Sequence, residues 1–90
     1  MSIALSYSDD FLKRLKKLPP NRQEAVIRAL ELFIEEPRLG RLRFRALRGH
    51  PGHFIINAAR GDRIIIERIA TDAYLALDVG THDVYRVWDR

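Results

Sequence analysis

From Phe11 to Ile34 the apolar residues recur with the period of a helix, and after Gly40 they recur at every second residue. That change of period limits the fold more than any other feature, because only a chain of helices followed by strands satisfies both halves. Phe11, Leu12, Leu15 and Leu18 form one helical stripe, with Lys13, Arg14, Lys16 and Lys17 mostly off it. Ser8 ahead of Asp9 and Asp10 supplies an N-cap with acids in the first turn, and Pro19-Pro20 ends the helix. Asn21 followed by Glu24 has the spacing of a capping box. Val26, Ile27, Leu30, Phe33 and Ile34 then form a second amphipathic face, which Pro37 stops. So short a connection predicts an antiparallel helical hairpin.

Ahead of the hairpin, Ile3, Leu5 and Tyr7 alternate with Ala4 and Ser6 as a short strand. Beyond it, Arg41, Leu42, Arg43, Phe44, Arg45, Ala46 and Leu47 alternate so regularly that a strand with one basic face is expected. Phe54 to Ala59, Arg63 to Ala70 and Tyr74 to Val79 read as three more strands, joined by turns around Gly49-His50-Pro51-Gly52, Arg60-Gly61-Asp62 and Thr71-Asp72-Ala73. Gly80 ends the last one, and His82 to Arg90 reads as a polar tail. The expectation is an α+β fold: an N-terminal strand, a helical hairpin, then a four-stranded antiparallel meander packed on the helices by one face. The other face is left open, and function is sought there. Ninety residues hold one such domain, residues 1–90, and not two.

Composition removes several classes of function. Without cysteine there is no disulfide framework, cysteine-bound zinc or thiol nucleophile. No apolar run approaches the ~20 residues of a membrane span. The amino terminus lacks the basic-then-apolar pattern of a secretory signal, so a cytoplasmic protein is expected. His50 and His53 have a metal-like spacing but no evident third ligand, and no metal is expected there.

What remains is strongly basic. The net charge is +4, and thirteen of the sixteen cations are arginine, whose planar fork of donors suits phosphate. Between Glu36 and Asp62 there is no acid, while Arg38, Arg41, Arg43, Arg45, Arg48 and Arg60 all lie there. Alternation would set Arg41, Arg43 and Arg45 on one face, able to follow a phosphate backbone. The carboxyl end, Val79-Gly80-Thr81-His82-Asp83-Val84-Tyr85-Arg86, brings His, Asp, Tyr and Arg together just after a strand. A histidine is well suited to move a proton near neutral pH, and a tyrosine can stack on a base.

In order and spacing these pieces resemble the RelE/ParE superfamily of bacterial toxin–antitoxin toxins, on its RelE side. The matching stretches are Leu15-Lys16-Lys17-Leu18-Pro19, Glu36-Pro37, Leu47-Arg48-Gly49-His50-Pro51, Gly61-Asp62-Arg63-Ile64-Ile65 and the ending from Val79-Gly80 to Tyr85. The resemblance implies the toxin of a type II toxin–antitoxin system. Such a toxin is a ribosome-dependent mRNA endoribonuclease that inhibits translation, silenced by a cognate antitoxin. It enters the ribosomal A site, where the RNA 2′-hydroxyl attacks the adjacent phosphate with no metal or cofactor.

By the same resemblance Arg63 matches the strand arginine facing the scissile phosphate. His82 stands where relatives have Arg or His, and Tyr85 matches a tyrosine that stacks on or orients the substrate. Arg41, Arg43, Arg45, Arg48, His53, Arg60 and Arg86 are the expected RNA contacts. In one place the chain departs from the pattern. RelE has basic residues on the strand corresponding to Phe54 to Ala59, where this chain has Ile56, Asn57 and Ala58. Arg45, Arg48, His53 or Arg60 are the candidates to compensate. A ParE-like toxin of DNA gyrase without nuclease activity, or a relative that only binds antitoxin or RNA, are the other readings.

Overall fold

The computed structural model describes residues 3–81, 83, 84 and 88. Strand β1 (Ala4–Tyr7) leads into helices α1 (Asp9–Lys17) and α2 (Pro20–Glu35). Strands β2 (Arg45–Ala46), β3 (His53–Asn57), β4 (Arg63–Ala70) and β5 (Ala73–Gly80) follow. They form one sheet in the order β1-β5-β4-β3-β2. The last four make the expected antiparallel meander, and β1 adds to its edge in parallel with β5. The α+β class expected from the period change is the one observed.

The helix boundaries follow from local chemistry. Ser8 Oγ accepts from the Phe11 amide at 3.1 Å, and its own hydroxyl donates to Leu77 O at 3.2 Å, so one side chain caps α1 and ties it to β5. At the other end Gln23 donates to the Leu18 and Lys16 carbonyls at 2.7 and 3.3 Å, satisfying acceptors that the end of α1 leaves open. The capping box expected from Asn21 and Glu24 does not form. Helix α2 already begins at Pro20, whose missing N–H and fixed φ suit a first helical position, and Asn21 bonds only the next amide.

The main core lies between the helices and one face of the sheet. It contains Phe11, Val26, Leu30, Phe33, Ile56, Ile64, Ile66 and Val79. Phe33 meets Tyr74 edge-on at 5.1 Å, and Phe44 lies 4.9 Å from Phe54, closing its end. Two residues assigned to the helical stripes are exposed. Leu12 is 40% and Ile27 46% exposed, because each sits on the flank of its helix that faces away from the sheet.

The opposite face is not left open as expected. Leu47, Ile55, Ile65 and Val84 form a second, smaller cluster with Trp88 packed against it. The carboxyl-terminal stretch is therefore not simply polar: its Val84 is buried and its Trp88 half-buried on the sheet.

The regular Arg alternation also misleads. Gly40–Leu42 is a 3-10 turn, Arg43 is left-handed at φ 50° and ψ 48°, and the strand covers only Arg45–Ala46. The cause is Leu42, which must drop into the core beneath α2 (1% exposed) before the chain can reach the sheet edge. Arg41, Arg43 and Arg45 thus do not share a strand face.

Candidate functional site

Strand register builds the site on the sheet face away from the helices. Arg45 of β2 pairs with Ile55, Asn57 of β3 with Arg63, and Arg63 with Gly80 of β5. Side chains alternate along a strand, so Arg45, Asn57 and Arg63 stand with Ile55 and Ile65 on this second face. Arg45 Nη1 donates to Asn57 Oδ1 at 3.2 Å and to Arg43 O at 2.7 Å. Arg63 is half-buried at the start of β4.

The departure at Ile56-Asn57-Ala58 looks different in three dimensions. Ile56 and Ala58 point into the main core, at 0% and 8% exposure, so only Asn57 faces the site. Arg45 then brings a guanidinium to that one neutral position from the neighbouring strand.

Arg63 is held in place by what precedes it. Asp62 is completely buried and takes a bidentate clamp from Arg22 of α2, Nε to Oδ2 at 2.8 Å and Nη2 to Oδ1 at 2.6 Å. The Ala58 amide bonds Asp62 O at 2.8 Å and closes the β3–β4 connection. The hydrogen bonds to Asp62 raise the Arg22 guanidinium above its ordinary pKa; burial opposes this and the attraction between the charges adds to it. A raised folded-state pKa contributes stability that is complete below the unfolded value and lost only as pH rises through the folded one. For an arginine that window lies above any working pH, so its side of the clamp adds no pH dependence where the protein would be used.

The carboxyl-terminal stretch is pinned at Trp88. Its indole N–H donates to Asp78 Oδ2 at 3.0 Å, while Asp78 Oδ1 accepts from Arg14 Nε at 3.1 Å. His50 Nε2 bonds the Trp88 carbonyl, and a carbonyl only accepts, so that nitrogen carries the proton. By the same reasoning His53 Nδ1 donates to Pro51 O at 3.0 Å. The two imidazoles and the indole lie 5.4–5.9 Å apart. Gly49 (φ 83°) and Gly52 (φ 78°) make the turn that carries the histidines possible, since both need a left-handed backbone. Trp88→Ala should cost about 1–2 kcal/mol, less than a fully buried tryptophan because it is half-exposed. A thermal melt followed by circular dichroism checks this, and an unshifted melt would mean that the docking adds no stability.

His50 and His53 together with Trp88 form a ring cluster, and no group of three or more metal-ligating side chains occurs among the described residues. Gly80 does not require a glycine conformation: its φ is ordinary, and a Cβ there would meet Val84 at 3.5 Å, a normal contact. Gly80 and Thr81 border a cleft of about 250 Å³ walled also by Arg14, Lys17 and Arg22.

Of the residues expected at the site, the sheet brings together Arg45 and Arg63. Arg48 and His53 line a second cleft of about 420 Å³ at the β2–β3 turn, and Arg60 is exposed in the β3–β4 turn. Arg41 lines a cleft with Ala25, Arg28 and Ala29 of α2 that also reaches Asn57. His82, Tyr85 and Arg86 lie outside the described residues. Sequence reasoning missed Asn57, Asp62, Asp78 and Trp88. The signal available was an acid within the apolar run Tyr74 to Val79, which needs a partner if it is buried.

A five-stranded sheet in this order, backed by a helical hairpin and cationic on its other side, defines a small α+β domain of one recognisable type. The chain has the fold of the RelE toxins. A double mutant of the E. coli toxin RelE in the free state matches it with TM-score 0.75 and 24% identity, over 99% of this chain and 93% of that one. The intact E. coli RelBE toxin–antitoxin complex matches at 0.70 and 24% identity, over 89% and 96%. The E. coli DinJ–YafQ toxin–antitoxin complex matches at 0.74 and 15% identity, over 93% and 97%. No protein-family model matches the sequence, and no curated protein is significantly similar to it. Among the described residues no helix is long and apolar enough to cross a membrane.

Proposed function

We propose that this chain is the toxin of a type II toxin–antitoxin pair and cleaves messenger RNA in the ribosomal A site. The observation that carries the reading is the convergence of Arg45, Asn57 and Arg63 beside Gly80, two residues before His82 in the chain. Cleavage by the RNA's own 2′-hydroxyl needs one proton removed, one delivered, and an anionic five-coordinate phosphorus stabilised. Arg63 binds the phosphorane charge, held by a connection that Arg22 and Asp62 lock. His82 exchanges protons, a role open to histidine near pH 7 and closed to arginine. Tyr85 stacks on or orients the substrate base. Arg45, Arg48, His53, Arg60 and Arg86 hold the RNA backbone.

The partner that silences it is an acidic antitoxin segment that adds a helix across α1 and α2, a strand at a sheet edge, or both. It acts by covering the cationic face, by displacing the carboxyl-terminal stretch, or by making the complex too bulky for the A site. The neutral strand argues less for a gyrase-binding, non-nuclease toxin than its sequence suggests, since two of its three residues belong to the core. Induction followed by mapping of message ends tests the reading. Cuts within translated codons are expected; intact messages with relaxed plasmid DNA would favour the gyrase alternative.

A prediction separates the arginines. Neutralising Arg45 and Arg60 should reduce the slope of log affinity against log salt by roughly 0.7 per lost phosphate contact on single-stranded RNA. Arg41→Gln should reduce it less, because Arg41 lines the cleft between α2 and Asn57 rather than the strand pair Arg45–Ile55. Equal slopes for wild type and all variants would mean that these residues only face solvent.

A further inference from the structure

Strand β5 ends at Gly80, so His82 and Tyr85 belong to a stretch that follows the last strand. The described residues around them are fixed at two points. The Val84 amide donates to the Thr81 carbonyl at 3.0 Å, a bond that brackets position 82 in the chain, and Val84 is buried among Leu47, Ile55 and Ile65. Beyond position 85, Trp88 packs on the same cluster and makes two hydrogen bonds in different directions. Its indole N–H reaches Asp78 of β5, and its carbonyl accepts from His50 of the β2–β3 turn.

Packing alone would cover the indole without fixing its direction. Two bonds from one residue, side chain to a strand and main chain to a turn, hold it in one orientation. Both anchors are themselves held. The Asp78 carboxylate is aimed by other donors: Oδ1 accepts from Arg14 Nε at 3.1 Å and from the Val79 amide at 2.9 Å, which leaves Oδ2 for the indole. The His50 main chain is bonded on both sides, its amide donating to the Leu47 carbonyl at 3.2 Å and its carbonyl accepting from the His53 amide at 3.1 Å. A carboxylate only 6% exposed adds little net stability over a well-packed apolar side chain. What it supplies is direction.

We propose that Asp78 and His50, acting through Trp88, are positioning residues for cleavage. They set the stretch carrying His82 and Tyr85 against the end of β5, where Gly80 pairs with Arg63. The inference rests on the cleavage reading above and adds the groups that hold its proton-transfer residue in place. Neither Asp78 nor His50 touches RNA in this role.

Trp88 is the only tryptophan in the sequence, so its emission reports docking whether or not the protein cleaves RNA. His50→Gln keeps a donor for the Trp88 carbonyl, and His50→Met, of similar shape, does not. Emission of His50→Met should shift to longer wavelength as the indole meets more water, while His50→Gln should stay close to wild type. In single-turnover cleavage on programmed ribosomes, His50→Met and Trp88→Phe should each lower the rate at saturation about tenfold with affinity unchanged. That is within the roughly hundredfold that a misplacement of about 1 Å can cost. His50→Gln should recover most of the rate. Combined with His82→Ala, Trp88→Phe should cost far less than it does alone, because the group it places is gone. Equal losses in the Gln and Met variants overturn the proposal, as do losses that simply multiply with His82→Ala. If circular dichroism shows Trp88→Phe unfolded at the assay temperature, the His50 pair decides. A wild type that cuts, beside a Trp88→Phe and a His50→Met that cut as fast at saturation, overturns the positioning role alone. A wild type that leaves messages intact while its emission shows a docked indole overturns the cleavage reading, and the positioning role with it.

Discussion

Arg22→Met should lower the free energy of unfolding by about 3–5 kcal/mol, the usual result of leaving a buried charge without its partner. Asp62 has no access to water, and both of its oxygens are held by the Arg22 guanidinium. For a domain of this size the melting temperature should fall by roughly 4–8 °C per kcal/mol. Removing both members should cost much less, because the double variant Arg22→Met/Asp62→Leu strands no charge. Urea unfolding of the two single variants and the double gives the coupling directly. Additive losses would show that the clamp is not a unit, and that Arg63 is held by the rest of the sheet.

The second large effect concerns chemistry. His82→Ala should slow single-turnover cleavage by about two orders of magnitude, the common worth of a positioned acid or base. Arg63→Ala should also lower the rate at saturation while leaving affinity nearly intact, since its contact strengthens as the phosphorus gains charge. If affinity collapses in Arg63→Ala and the saturated rate is unchanged, Arg63 only docks the RNA. If cleavage by His82→Ala is normal, protons move through another group; His53, whose Nε2 is not engaged by its bond to Pro51, is the next to test.

How much of this was legible in the residues differs by element. Strand β4 and the first helix could be read closely, because Arg63 to Ala70 has strand-forming isoleucines between turns and α1 has Ser8, two acids and a proline pair at its ends. The stretch Arg41 to Leu47 could not. Its alternation satisfies a strand, yet Leu42 is required in the core, and the chain turns to deliver it. The placement of Arg63 at the site was implied by the resemblance to the RelE side of the superfamily, whereas its anchoring by Arg22 was not legible: the clamp joins residues forty apart, and such a contact leaves no local pattern. The docking of Trp88 onto Asp78 was hidden for a similar reason, since the stretch is short and its charged residues are as many as its apolar ones.

Cleavage of a defined message on purified ribosomes programmed with a single A-site codon tests the central claim most directly. Wild-type protein should cut within that codon, leaving a 5′-hydroxyl on one fragment and a cyclic or terminal phosphate on the other. It should do so only when the ribosome is present, and Arg63→Ala should be far slower at saturation. An intact message at saturating protein, or naked RNA cut as fast as ribosome-bound RNA, would contradict the account.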